Sequence, residues 1–94
     1  MYKIDGNQPA IIAGLKQARI RVLSTAKIGA GTPDVVGYCP ITNVFALLEI
    51  KMPKEKLRLK KSQIAWRISH PDMLNYVHTV DSLTMALRVF RVIP

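Results

Sequence analysis

The sequence predicts one α/β domain over residues 1–94, ordered helix, three strands, helix, strand, helix around a central mixed sheet. Three observations predict it. Apolar residues recur at helical spacing near both ends, at Ile11, Ile12 and Leu15 and again at Leu83, Ala86, Leu87 and Phe90. Short alternating or continuous apolar runs fill the first half between glycine and proline breaks. A second helical stretch lies between the strongest strand and the last one, which permits a crossover to a parallel neighbour.

The first helix is expected over Gln8 to Gln17. Asn7 is a suitable cap, and Pro9 is tolerated in a first turn because its missing N–H needs no partner. Arg19 to Ser24 alternates polar and apolar residues and predicts a strand with one face in a core. Ile28-Gly29-Ala30-Gly31-Thr32-Pro33 breaks it as a loop in which the backbone can turn tightly. Asp34 to Tyr38 predicts the second strand, and Cys39 to Asn43, with Pro40, a turn. Val44 to Lys51 is the strongest strand signal. Its near-continuous apolar run suggests cover on both faces, and Pro53 ends it.

A helix from Lys60 to Ser69 is expected to carry Ile64, Trp66 and Ile68 around its inner side, and His70-Pro71-Asp72 stops it. Asn75 to Val80 predicts the fourth strand. Asp81 or Ser82 then caps the last helix. The first three strands have short connections and suit an antiparallel meander.

Fourteen Lys and Arg stand against six Asp and Glu, a formal net charge of +8. Such an excess points to a polyanionic partner, most often nucleic acid; the alternative is a solvated basic surface. A 94-residue chain has a small core, which a partner subunit can extend. Cys39 is the single cysteine, so an internal disulfide and a thiolate zinc site are excluded, and it is expected to pack near a strand end. His70 and His78 have no partners at metal-ligand spacing. Ser24 and Ser62 lack the context of a nucleophile. Trp66 reads as a packing residue. The opening Met1-Tyr2-Lys3-Ile4-Asp5 has no apolar leader core, and no apolar run is long enough to span a bilayer. A soluble protein of a reducing compartment is expected.

Asp34 opens one strand and Glu49 sits near the end of the next, so a hairpin brings both to the same end of the sheet. Glu49 and Lys51 are two apart on one strand and point to the same face. Two close carboxylates repel unless a cation lies between them. Hard divalent ions such as Mg²⁺ take such oxygen ligands, polarise a phosphate oxygen and acidify a bound water. Lys51 can offset charge building on that phosphate. A plain ion pair between Glu49 and Lys51 at a strand end is the alternative.

Gly31-Thr32-Pro33-Asp34, then Leu48-Glu49-Ile50-Lys51, then Leu59 with Gln63 four residues on, resemble the PD-(D/E)xK signature in its virus-type replication-repair nuclease (VRR-NUC) form. Asp5-Gly6-Asn7-Gln8-Pro9 and Val80-Asp81-Ser82-Leu83 are also similar to short phage members of that group. The resemblance implies a restriction-endonuclease-like αβββαβ core, similar to Holliday-junction resolvases. It implies a homodimer that cuts branched DNA with Mg²⁺ or Mn²⁺ in the cytoplasm of a host cell. Asp34, Glu49 and the Ile50 carbonyl are implied as metal ligands, Lys51 as the catalytic lysine and Gln63 as its support. There is one departure: the family's first-helix glutamate matches Ala10 here, which implies a missing ligand or base and weakened cleavage.

The basic run Lys54, Lys56, Arg58, Lys60 and Lys61 adjoins the proposed site and is expected to track DNA phosphates, with a solvated loop as the alternative. Lys16, Arg19, Arg21 and Lys27 can widen that surface. Besides the endonuclease, two other functions fit the sequence: a junction-binding module with impaired catalysis, and a basic adaptor for another protein.

Overall fold

The computed structural model describes residues 7–94. The element order is the expected one: α1 (Gln8–Gln17), β1 (Arg21–Ser24), β2 (Val35–Cys39), β3 (Val44–Ile50), α2 (Lys61–Ser69), β4 (Val77–Val80) and α3 (Leu83–Val89). The four strands form one sheet in the order β1-β2-β3-β4. The first three are antiparallel, and β4 lies parallel to β3 after the crossover through α2. The chain is therefore an α/β domain with a mixed sheet and flanking helices. No helix among the described residues is long and apolar enough to cross a membrane.

One face of the sheet makes the core. Val35 and Cys39 of β2, Ala46, Leu48 and Ile50 of β3 and Val80 of β4 are buried with Ile11 and Leu15 of α1 and Ala86 and Phe90 of α3. Cys39 is the last residue of its strand and is buried, as its small apolar character predicts. Glycines set how closely the layers approach. A Cβ at Gly37 would lie 2.4 Å from the Phe90 ring, and one at Gly14 would lie 2.4 Å from the Leu83 side chain.

Several boundaries differ from expectation for identifiable reasons. Strand β1 begins at Arg21 because Arg19 and Ile20 close α1. Arg19 takes the left-handed conformation (φ +64°) and donates to the Lys16 carbonyl, while the Ile20 N–H reaches back to Leu15. That is a Schellman closure with arginine where glycine is usual. Arg91 repeats it after α3. Strand β2 starts one residue after Asp34 and includes Cys39. Strand β4 is shorter than expected because Pro71–Tyr76 winds as a 3₁₀ segment. Ser82 caps α3 by accepting the Met85 N–H at 3.1 Å.

Two corrections concern side chains. Asn7 makes no capping hydrogen bond. Its amide nitrogen instead donates to the Lys51 carbonyl at 3.0 Å and the Asp81 carbonyl at 2.6 Å, tying the start of α1 to the ends of β3 and β4. Ile64 and Ile68 are exposed, not inward. The side of α2 that meets the sheet carries Gln63 and Arg67, because the buried polar groups beneath need partners and leaving them unmet costs more than exposing two isoleucines. Trp66 stacks on His70 of its own helix end at 4.2 Å.

Replacing Gly37 by alanine forces the buried Phe90 ring to move, and a loss of about 1–3 kcal/mol is expected in urea unfolding.

Candidate active site

The register between β2 and β3 builds the centre of the site. Val35 pairs with Leu48, and the preceding Asp34 therefore lies beside Glu49 at the same end of the sheet. The Asp34 N–H donates to the Leu48 carbonyl at 2.9 Å, and its Oδ2 accepts the Ile50 N–H at 2.8 Å. Both ends of the residue are thus held by β3. Thr25 supports the approach: its N–H donates to the Asp34 carbonyl at 2.8 Å, and its hydroxyl donates to the Pro33 carbonyl.

Glu49 and Lys51 project from the sheet face opposite the α1–α3 core, and both are almost fully buried, at 2 % and 1 % exposure. A buried lysine is rare and needs partners. Its Nζ donates to Gln63 Oε1 at 2.7 Å and lies 3.8 Å from Glu55 Oε2. The ion pair of Lys51 is therefore with Glu55 and not with Glu49. Gln63 stands between them, donating from Nε2 to Glu49 Oε2 at 3.0 Å. The same Oε1 accepts the Lys60 N–H at 2.8 Å. Gln63 is the third residue of α2, so this last bond is one half of a capping box. One amide thus starts the helix and orients two side chains of the site.

Gly31 brings α2 close enough for that. It has φ +81°, and a Cβ there would fall 2.0 Å from the Ser62 carbonyl oxygen and 2.9 Å from the Gln63 nitrogen. The glycine loop read from the sequence as a tight turn is also the seat of the second helix.

The carboxyl groups of Asp34 and Glu49 are neighbours on this face of the sheet. Burial, then the hydrogen bond to Asp34 and then the Asp34 charge push the Glu49 carboxyl up to about 9, against the smaller opposing pull of Lys51 and Arg67. Alone, the pair is stable with a proton between its members, and a divalent cation is the other way to satisfy it. Two carboxylates are oxygen donors of the kind hard divalent ions take; no group of three or more His, Cys, Asp or Glu that could hold a metal ion is gathered among the described residues. Mg²⁺ and Mn²⁺ accept few protein ligands and complete their shell with water, whereas zinc takes His and Cys.

The structure brings together Asp34, Glu49, Lys51 and Gln63, with Ile50 anchoring Asp34 through its N–H. The basic residues Lys54, Lys56, Arg58, Lys60 and Lys61 are all exposed on the segment leading into α2. Ala10 is exposed on the first turn of α1, three residues past Asn7 and so on the same side of the helix. The Asp5 and Gly6 of the opening run lie outside the described residues. Sequence reasoning missed three contributors. Asn7 fixes the Lys51 carbonyl, Glu55 pairs with Lys51, and Arg67 binds Thr79 Oγ1 at 2.8 Å while acting on Glu49. Arg67 was findable, since it follows Gln63 by four residues on one helix face.

Comparison of the chain with protein-family models, with curated proteins and with solved structures returns no match.

Glu49 ionises near 4.5 in an unfolded chain and near 9 here, so the native state keeps a proton that the unfolded state has lost. Its contribution to stability is complete below about pH 4.5 and is lost as pH rises towards 9. Metal-free protein should accordingly show a falling urea midpoint from pH 5 to 9, and Glu49→Gln should flatten that slope. Gly31→Ala pushes α2 outward at Ser62 and Gln63. A loss of about 1–3 kcal/mol in urea unfolding is expected, with greater solvent exchange of the Lys60 and Ile64 amides at the start of α2.

Proposed function

We propose that this chain is a divalent-metal-dependent nuclease domain of the PD-(D/E)xK kind, acting on DNA. The observation that carries the reading is the convergence of Asp34 and Glu49 with a buried Lys51 on one sheet face, the lysine held apart from Glu49 by Gln63. Asp34 and Glu49, with the Ile50 carbonyl, would hold the ion. Bound there, Mg²⁺ or Mn²⁺ supplies Lewis acidity to a phosphate oxygen and a water acidic enough to attack at neutral pH.

The chain's own residues supply the rest. Lys51 keeps a fixed positive charge beside the carboxylates, where it offsets charge growing on the phosphate. Gln63 keeps that charge aimed, because its amide is itself fixed by the Lys60 N–H and by Glu49. Lys54, Lys56, Arg58, Lys60 and Lys61 offer phosphate contacts that position a duplex without reading its sequence. The net charge of +8 supports a polyanionic substrate. Branched DNA, particularly the four-way junction, is the substrate we assign, with two chains acting as a homodimer. Two sites related by a two-fold axis suit the symmetric cuts that a junction needs. In a phage setting the host cytoplasm is the working compartment.

One observation favours a second reading, a junction-binding module with impaired cleavage. Ala10 stands where the resemblance implies a glutamate, on the turn that Asn7 ties to the end of β3. Its exposed position leaves room for the longer acid.

One experiment separates these readings. A labelled four-way junction is incubated with Mn²⁺ and the natural sequence, its Ala10→Glu variant, or Ala10→Glu combined with Lys51→Ala. The nuclease reading expects Ala10→Glu to cut best and Lys51→Ala to lower that rate by about 10²–10³-fold. If Ala10→Glu cuts neither junction, flap nor duplex with Mn²⁺ or Mg²⁺, the enzyme reading fails. Salt-sensitive binding without cutting by any variant establishes the binding module.

A further inference from the structure

The sheet face that carries Glu49 and Lys51 continues past the buried Leu47 to an exposed patch at the other end of β2 and β3. Five aromatic residues lie among the described ones, and three of them are on this surface. Tyr38 is 36 % exposed, Phe45 44 % and Tyr76 47 %. Tyr38 and Phe45 are direct cross-strand partners, and Tyr76 meets Phe45 edge-to-face at 5.7 Å. Neighbouring strands are about 4.8 Å apart, so the three rings make a row across β2, β3 and the start of β4 about 10 Å long.

The rings are held in place. The Tyr38 hydroxyl donates to Asn43 Oδ1 at 2.7 Å, and Phe45 is braced by Tyr76. A small domain that leaves three braced rings in water forgoes a large share of its available apolar burial. That arrangement fits a surface that binds flat π-systems better than it fits packing.

An open groove of about 930 Å³ adjoins the row, running over β1 and β2. Its walls include Leu23 and Ile41, both strongly exposed. Lys16, Arg19 and Arg21 lie along it, and none of its lining residues is acidic. Apolar walls, exposed rings and cations without acids describe a ligand that is anionic along its length and aromatic at intervals. A second copy of this chain fits poorly. In a two-fold contact over this face the same three cations would meet their own counterparts, with no acid in the groove to receive them.

Alternation along the strands fixes where such a ligand leads. Tyr38 of β2 is four residues from Asp34, which immediately precedes that strand, and Phe45 is four residues from Glu49 on β3, so rings and carboxyl groups share a face. The separation along either strand is about 13 Å.

We infer that this face holds single-stranded DNA, its bases stacked on Tyr38, Phe45 and Tyr76, its phosphates near Lys16, Arg19 and Arg21, and its path leading to the Asp34–Glu49 end of the sheet. The choice of DNA rests on the nuclease reading; the stacking surface itself does not. In a flap or fork this surface takes the unpaired arm beside the branch, and at a four-way junction it takes bases that open at the crossover, while the basic segment before α2 takes the duplex.

The test is fluorescence anisotropy of labelled oligo(dT) with the whole chain in EDTA. Because no metal is present, loss of binding and loss of cleavage are separate results. Phe45→Leu and Tyr38→Leu keep apolar bulk and remove the ring, and each should weaken binding about tenfold. Phe45→Trp keeps a ring and should bind within about twofold of the natural chain. Arg21→Gln should weaken binding and lower the slope of log K against log salt by about 0.7, a change the Leu variants should not show. Natural affinity in both Leu variants overturns the inference, as does a tenfold loss in Phe45→Trp. Tighter binding of oligo(U) than of oligo(dT) overturns the assignment to DNA. A sedimenting dimer broken by Leu23→Asp, with oligo(dT) affinity unchanged, assigns the face to a second copy instead.

Discussion

The pairing of β2 with β3 places two acids where neither is comfortable. Asp34 is fixed by the Leu48 carbonyl and the Ile50 N–H, and Glu49 is buried beside it at the same end of the sheet. Repulsion and desolvation at that point have to be met by a proton or a cation. Much of the surrounding structure serves this constraint. The glycine loop lets α2 approach, α2 delivers Gln63 and Arg67, and Gln63 in turn bridges the buried Lys51 and Glu49. Asn7 locks the Lys51 backbone from the far side. A helix with no buried residue of its own is thus kept in place largely by polar contacts at the site.

The two sheet faces divide the labour of a small domain. One is packed by α1 and α3 and supplies the apolar core. On the other, α2 reaches Glu49, Lys51 and Thr79, Leu47 is also buried, and the far end carries aromatic and basic side chains into solvent. A core confined to one face yields less stability than a two-sided one. It also leaves a broad surface for a partner.

The element order was legible because its signals are local. Helical spacing in α1 and α3, the apolar run of β3 and the glycine-proline loop each depend on few residues. The convergence of Asp34, Glu49 and Lys51 followed from strand alternation and a hairpin, which are equally local rules. What the sequence hid was tertiary. Asn7 looks like a cap, yet the ends of two distant strands offer its amide two carbonyls. Ile64 and Ile68 look like an inward stripe, yet the buried Glu49 and Lys51 call for the polar side of α2. Arg19 looks like the start of a strand, yet it closes the preceding helix in a left-handed conformation that favours glycine. In each case a long-range polar demand or a chain-closing geometry outweighed the local pattern.

The central claim is that the Asp34–Glu49 pair exchanges its proton for a divalent cation. Calorimetric titration of Mn²⁺ into metal-free protein at pH 7, repeated in two buffers of different ionisation enthalpy, tests it directly. The account predicts saturable binding with about one proton released per ion, the release vanishing in Glu49→Gln. Absence of binding at millimolar Mn²⁺, or binding without proton release that Asp34→Asn and Glu49→Gln leave unchanged, would contradict it.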